Sequence, residues 1–177
     1  MKKEALFALF FVLMLVSFIF DREILGFFDY LNAILPAAVF FSMYSISHIL
    51  FFVAVVFLSC YLLRDKKKTA YLFLGAVSAY LASFVLKSLI QRVRPIGADL
   101  VIASDTFSFP SSHATVYFFI FAFMTGHFKK YRFIFLGIAL LVSLSRVYLG
   151  VHYLSDVIGG GLLGVGTYFA LKKWTKT

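Results

Sequence analysis

Acid is scarce in this chain: 8 of its 177 residues are Asp or Glu, against 17 Lys and Arg. Charge of either sign makes up 14% of the sequence, where an average soluble domain carries about a quarter. Hydrophobic residues fill 62% of the positions, and the mean hydropathy is +0.95. So little charge on so much apolar chain excludes a soluble globular domain and points to a polytopic membrane protein. Cysteine is almost missing. Cys60 stands alone, which excludes an intramolecular disulfide and a cysteine-based metal site. The net charge of +9 would suit nucleic acid if the bases covered one face. They sit instead in short clusters between apolar runs, the positive-inside pattern of membrane proteins, so nucleic acid is not an expected partner.

What remains is a succession of apolar runs. They predict an all-α, integral membrane six-helix bundle forming one domain over residues 1–177, with spans at about 5–20, 46–63, 70–90, 112–128, 133–149 and 152–171. Lys2 and Lys3 before the first run could begin a signal peptide. The run ends Ser-Phe-Ile-Phe-Asp-Arg-Glu without a small-x-small cleavage pattern, however, so a retained helix is expected. Residues 21–35 mix acids with Leu, Phe and Tyr, which predicts an interfacial helix after the first span, ended by Pro36. Residues 91–111 form a polar segment with two of the three prolines. In the last run Gly159, Gly160, Gly161, Gly164 and Gly166 make a helix face small enough for a neighbouring backbone to approach.

Alternating spans put Lys2, Lys3, Arg64, Lys66, Lys67, Lys68, Lys129, Lys130, Arg132, Lys172, Lys173 and Lys176 on one side, expected to be cytoplasmic together with both termini. The other side keeps Arg22, Lys87, Arg92, Arg94 and Arg146 among Asp21, Glu23, Asp29, Asp99, Asp105 and Asp156. Most of those cations fall in polar motifs, where function overrides the charge rule.

The densest motif runs from Ser145 to Asp156. A charge at mid-membrane costs about 2.5 to 3.5 kcal/mol on insertion scales, so Arg146, His152 and Asp156 crowded together need a reason. His152 and Asp156 are four apart, a spacing that lets the carboxylate hold the imidazole. Gly150 permits a turn that leaves Arg146 free to point at the same spot. The stretch Lys87-Ser-Leu-Ile-Gln-Arg-Val-Arg94-Pro95 closes the third span, and Phe109-Pro110-Ser111-Ser112-His113 opens the fourth. Ser111 or Ser112 is a good N-cap, the first N–H groups of that helix form an anion site, and His113 projects from the first turn. Singly, these residues are equally compatible with an Arg146–Asp156 ion pair beside a packed histidine, snorkelling anchors at Lys87 and Arg94, and an ordinary serine cap. Together, alternation brings them out on one side as a phosphoryl-transfer set: cations for the equatorial oxygens, an oriented histidine as nucleophile, and a second histidine as general acid. Asp156 is the one acid within the three motifs and is committed to His152, so no metal and no cofactor is expected.

Lys-x6-Arg-Pro, Pro-Ser-x-His and Ser-Arg-x5-His-x3-Asp, in that order on successive helix ends, resemble the type 2 phosphatidic acid phosphatase family of lipid phosphatases, whose signature is shared with vanadium haloperoxidases. The motifs span Lys87 to Asp156. The resemblance implies metal-independent dephosphorylation of a membrane lipid phosphate through a phosphohistidine. It makes His152 the nucleophile, Asp156 its orienting partner and His113 the general acid, with Lys87, Arg94, Ser111, Arg146 and the backbone N–H of Ser112 binding phosphate. Ser112 stands where the family often has glycine, which either tightens the turn slightly or adds a hydroxyl to the phosphate shell. The candidate substrates are undecaprenyl diphosphate, phosphatidylglycerophosphate, phosphatidic acid and lipid A 1-phosphate. The expected location is the bacterial inner membrane, with the site facing the periplasm or exterior. A small transporter is disfavoured because the charges cluster at helix ends rather than at mid-membrane. A catalytically inactive lipid-binding relative is disfavoured because both His113 and His152 are present.

Overall fold

The computed structural model describes residues 3–46, 48–95 and 107–174. Every regular element among them is helical: α1 (Lys3–Ile34), α2 (Ala37–Ile46), α3 (Ile49–Leu63), α4 (Lys66–Ile90), α5 (Ser112–His127), α6 (Arg132–Tyr148) and α7 (Leu154–Trp174), with a 3₁₀ turn at Lys129–Tyr131. Of the polar segment 91–111, residues 96–106 lie outside the described residues, and Asp99 and Asp105 with them.

The span at 5–20 and the interfacial helix at 21–35 run together in α1, 32 residues without a break. No proline interrupts this stretch, and Asp21 is buried on partners from other elements rather than facing head groups. Pro36, which lacks an N–H and restricts the residue before it, ends the helix. The span at 46–63 also differs. α2 and α3 meet at a bend of 48°, with His48 as the N-cap of α3, its Nδ1 accepting the Leu50 N–H. Among the described residues three helical stretches are long and apolar enough to cross a membrane, Lys66–Ile90, Lys129–Tyr148 and Leu154–Lys172, and the bent α2–α3 pair makes a fourth if counted as one span.

α5 lies at the centre. Its 16 residues rise about 24 Å, and half of them, including Ala114, Thr115, Phe119, Ile120 and Met124, are buried among α4, α6 and α7. Phe135, Ala139 and Val142 of α6 complete this core. Large apolar side chains such as Phe57, Leu74, Leu89 and Phe133 point outward instead, the inverse of a soluble bundle. α5 and α7 pack backbone to backbone through Gly160 and Gly164. A Cβ on Gly160 would come within 2.5 Å of the Ser111 carbonyl oxygen, and one on Gly164 would run into that of Thr115. This contact sets the start of α5 against the start of α7, where the polar motifs meet.

Candidate active site

The connection between α6 and α7 is a tight hook. Gly150 takes φ +66°, a conformation that costs residues with a Cβ, and its N–H donates to the Val147 carbonyl at 2.9 Å. The chain then turns back, so that the N–H groups of Val151 and His152 both donate to the Arg146 carbonyl at 3.2 Å. His152 is thereby fixed outside both helices and buried. Its Nδ1 lies 3.3 Å from Asp156 Oδ2. That oxygen also accepts the Tyr153 N–H at 2.9 Å, while Oδ1 accepts from Arg92 Nη1 at 2.6 Å. An ionised carboxylate only accepts, so it selects the Nδ1–H tautomer and leaves a lone pair on Nε2. Arg94 Nη1 stands 3.2 Å from Nε2 and donates to the Val151 carbonyl at 2.8 Å. Burial first, then the charges of Arg146, Arg94 and Lys87, hold the imidazole well below its usual 6.5, and a hydrogen bond with the Ser108 backbone works weakly against them. His152 is therefore neutral at pH 7, and three cations are close enough to act on it.

Lys87, in the last turn of α4, is buried and donates to the Phe107 and Ser108 carbonyls at 2.7 and 3.1 Å. α4 ends at Gln91 in the left-handed conformation, which turns Arg92 across to α7 and Arg94 across to the hook before it. Ser111 is buried, and its N–H donates to the Asp156 carbonyl at 2.9 Å, tying the start of α5 to the first turn of α7. Ser111 occupies the N-cap position, yet its side chain makes no capping bond. Its Oγ, like Arg146 Nε, is a buried atom without a hydrogen-bond partner among the described residues. Two buried donors left over in one motif cluster call for an acceptor. The Ser112 hydroxyl accepts from Ser83 Oγ of α4 at 2.8 Å. His113 follows and lines an apolar groove of about 410 Å³ between α3, α4 and α5, with Ser112, His48, Phe52, Val116 and Tyr117 among its walls and Cys60 and Thr69 at its far end.

Arg92 and Asp21 escape sequence reasoning. Arg92, not Arg146, is the ion-pair partner of Asp156, and its Nη2 reaches Asp21 Oδ2 of α1 at 2.7 Å. The available signal was an acid directly at the end of the first apolar run and a third cation in a motif with two, both on the same side of the membrane.

A sequence model of the PAP2 superfamily matches residues 68–177, and the chain belongs to that family. Phosphatidylglycerophosphatase B of Bacillus subtilis is 48% identical over 99 residues, 50% of this chain and 48% of that protein. A lipid A 1-phosphatase of Rhizobium johnstonii is 37% identical over 111 residues, 58% of this chain and 45% of the relative. The chain thus spans about half the length of these curated relatives. The crystal structure of a transmembrane PAP2-type phosphatidylglycerolphosphate phosphatase from Bacillus subtilis superposes with a TM-score of 0.70 at 27% identity, covering 99% of this chain and 97% of that one. Aquifex aeolicus LpxE superposes at 0.68, with 24% identity over 86% and 94% of the two chains, which bears on the fold alone. The all-α fold is that of the transmembrane PAP2 phosphatases, and the protein is a multi-pass membrane protein.

Proposed function

We propose that the protein is a lipid phosphatase that hydrolyses a phosphomonoester or diphosphate head group through a phosphohistidine on His152, without a metal. One observation carries this reading: a neutral imidazole with its Nε2 turned toward Arg94, beside two buried donors, Arg146 Nε and Ser111 Oγ, that have no partner among the described residues. A phosphoryl group at Nε2 would give those donors their acceptor, with Arg94 and Lys87 completing the charge balance on the equatorial oxygens. Nε2 attacks phosphorus, the N–P bond forms and the P–O bond to the lipid breaks. His113 gives the departing oxygen its proton. Water then attacks phosphorus and loses its proton to His113, and the N–P bond breaks to release inorganic phosphate and free His152. Asp156 holds the Nδ1–H throughout and offsets the positive charge on the phosphorylated ring.

The groove that starts at Ser112 and His113 favours a lipid over a soluble ester. Its walls are almost wholly apolar, and from His48 to Cys60 it follows α3 for about 18 Å, enough to cover a long stretch of one hydrocarbon chain. Relatives named for phosphatidylglycerophosphate, lipid A 1-phosphate and, in Escherichia coli, undecaprenyl diphosphate support the same class. Those three and phosphatidic acid are the substrates to try. The test is phosphate release by the purified protein from a panel of these lipids in EDTA. Release in chelator, inhibited by vanadate as a mimic of the pentacoordinate phosphoryl group, is the expected result. No release from any of them, or release that only Mg²⁺ or Zn²⁺ restores, overturns the proposal.

A further inference from the structure

We infer that Asp21 and Arg92 are positioning residues of the His152 site, joined to it as a chain of groups Asp21–Arg92–Asp156–His152 that brings α1 into the catalytic machinery. The inference deepens the phosphatase reading and rests on it for the kinetic part alone. Arg92 Nη1 bonds Asp156 Oδ1 and Ser155 Oγ, each at 2.6 Å, and Nη2 bonds Asp21 Oδ2 at 2.7 Å. The guanidinium lies between two aromatic rings, 4.5 Å from the centre of Phe18 on α1 and 4.2 Å from that of Tyr153. Asp21 also accepts the Ser155 N–H at 3.0 Å and a short bond from the Ser155 hydroxyl. Of these partners Tyr153 and Ser155 sit within one turn of the carboxylate that orients His152, and Phe18 and Asp21 come from α1. Asp21 lies outside residues 68–177, the part matched by the family model, so this contribution comes from a segment that the three motifs do not include.

The charges explain why an arginine shared by two carboxylates serves this site. Asp156 is fully buried and faces a neutral imidazole. Without a cation it would be an uncompensated buried charge, which is costly. A cation given wholly to Asp156 would cancel the field that the imidazole needs once phosphorylation makes it positive. Arg92 is divided between Asp21 and Asp156, so it fixes the carboxylate without neutralising it. A flat, always-charged fork clamped between two rings is also rigid, which Lys could not reproduce. Asp21 therefore sets how much of the Arg92 charge reaches Asp156, and the rotamer of Asp156 sets the tautomer of His152.

The experiment follows the tautomer and turnover separately. In ¹⁵N-histidine-labelled protein in detergent, with His152→Gln used for assignment, wild type should give a low-field Nδ1–H resonance for His152. Arg92→Ala should lose it or convert it to the Nε2–H form, and guanidinium at tens of millimolar should bring it back; the side chain it replaces is partly solvent-accessible. kcat should fall on the order of 100-fold in Arg92→Ala and about 10-fold in the isosteric Asp21→Asn, with KM within about twofold, by analogy with the loss of outer partners of metal-site ligands. Arg92→Lys should recover only part of the activity. A His152 resonance and kcat unchanged in Arg92→Ala and Asp21→Asn would overturn the inference, as would a loss in Arg92→Ala that guanidinium does not reverse. If wild type releases no phosphate from any lipid, the phosphatase reading fails, and the resonance still decides the positioning role.

Discussion

Amidation of Asp156 tests the site most sharply, because every partner of that carboxylate is a donor. Arg92 Nη1 reaches one oxygen at 2.6 Å, and the Tyr153 N–H and His152 Nδ1 reach the other at 2.9 and 3.3 Å. An Asn side chain has one accepting oxygen and one NH₂ group, so one side must face a donor with a donor. Arg92 is charged and closest, and it will take the oxygen. The NH₂ then faces Tyr153 and His152. His152 can relieve its half of the clash only by moving its proton to Nε2, which removes the lone pair that should attack phosphorus. The unpaired Tyr153 N–H adds about 1 to 3 kcal/mol of instability, short of unfolding a membrane bundle. Asp156→Asn should therefore stay folded and lose about 10⁴-fold in kcat, the loss seen when the orienting aspartate of a serine triad is amidated, or about 5.4 kcal/mol of barrier. The assay is phosphate release together with trapping of the phosphorylated protein, checked against the thermal midpoint of both proteins. Turnover within tenfold of wild type in a folded Asp156→Asn protein would refute the tautomer argument and leave the carboxylate as a structural partner of Arg92.

Other outcomes follow from the same geometry. His152→Ala should abolish turnover, whereas His113→Ala should still form the phosphoenzyme with a substrate whose leaving group needs no proton, such as a nitrophenyl ester; equal losses on good and poor leaving groups would remove the acid role from His113. The depressed pKa of His152 fixes the sign of a pH effect: the nucleophile is lost only below that depressed value, so kcat/KM should hold as pH falls through 6.5. Arg94→Gln removes one of the charges that lower it, so the acid limb should move to higher pH, and an unmoved limb would assign it to another group. A single cysteine at Ala98, outside the described residues, in a Cys60→Ala background, should react with an impermeant thiol reagent in cells with a permeabilised outer membrane. One at the exposed Lys67 should not react, and the reverse pattern would place the site in the cytoplasm.

Periodicity and charge made the helical architecture legible, because apolar runs bounded by basic clusters admit few other folds. The joining of residues 5–34 into one helix was not legible, since Asp21 and Arg22 look interfacial until a partner for Asp21 is known, and that partner lies 71 residues away. The i, i+4 relation of His152 and Asp156 was visible because it is local. The pairing of Asp156 with Arg92 was not, because it depends on a left-handed turn at Gln91 that no glycine announces. Ser112 shows the same limit: the sequence leaves its hydroxyl two roles, and only the position of Ser83 across the helix interface decides where it points.

Gly160 and Gly164 act as a gauge block. Where two helices meet through side chains, their separation drifts with every substitution and rotamer. Where main chain rests on main chain, the spacing is a sum of van der Waals radii that the rest of the sequence cannot retune. The start of α5, where Ser111 and Ser112 sit, and the hook that carries His152 ahead of α7, the proposed seats for phosphate and nucleophile, are therefore registered to each other by the least variable parts of the polypeptide. The groove lies on the other flank of α5, where α3 and α4 supply most of the wall. On the proposed mechanism, its shape can change from one lipid tail to another while the distance from the start of α5 to His152 stays the same.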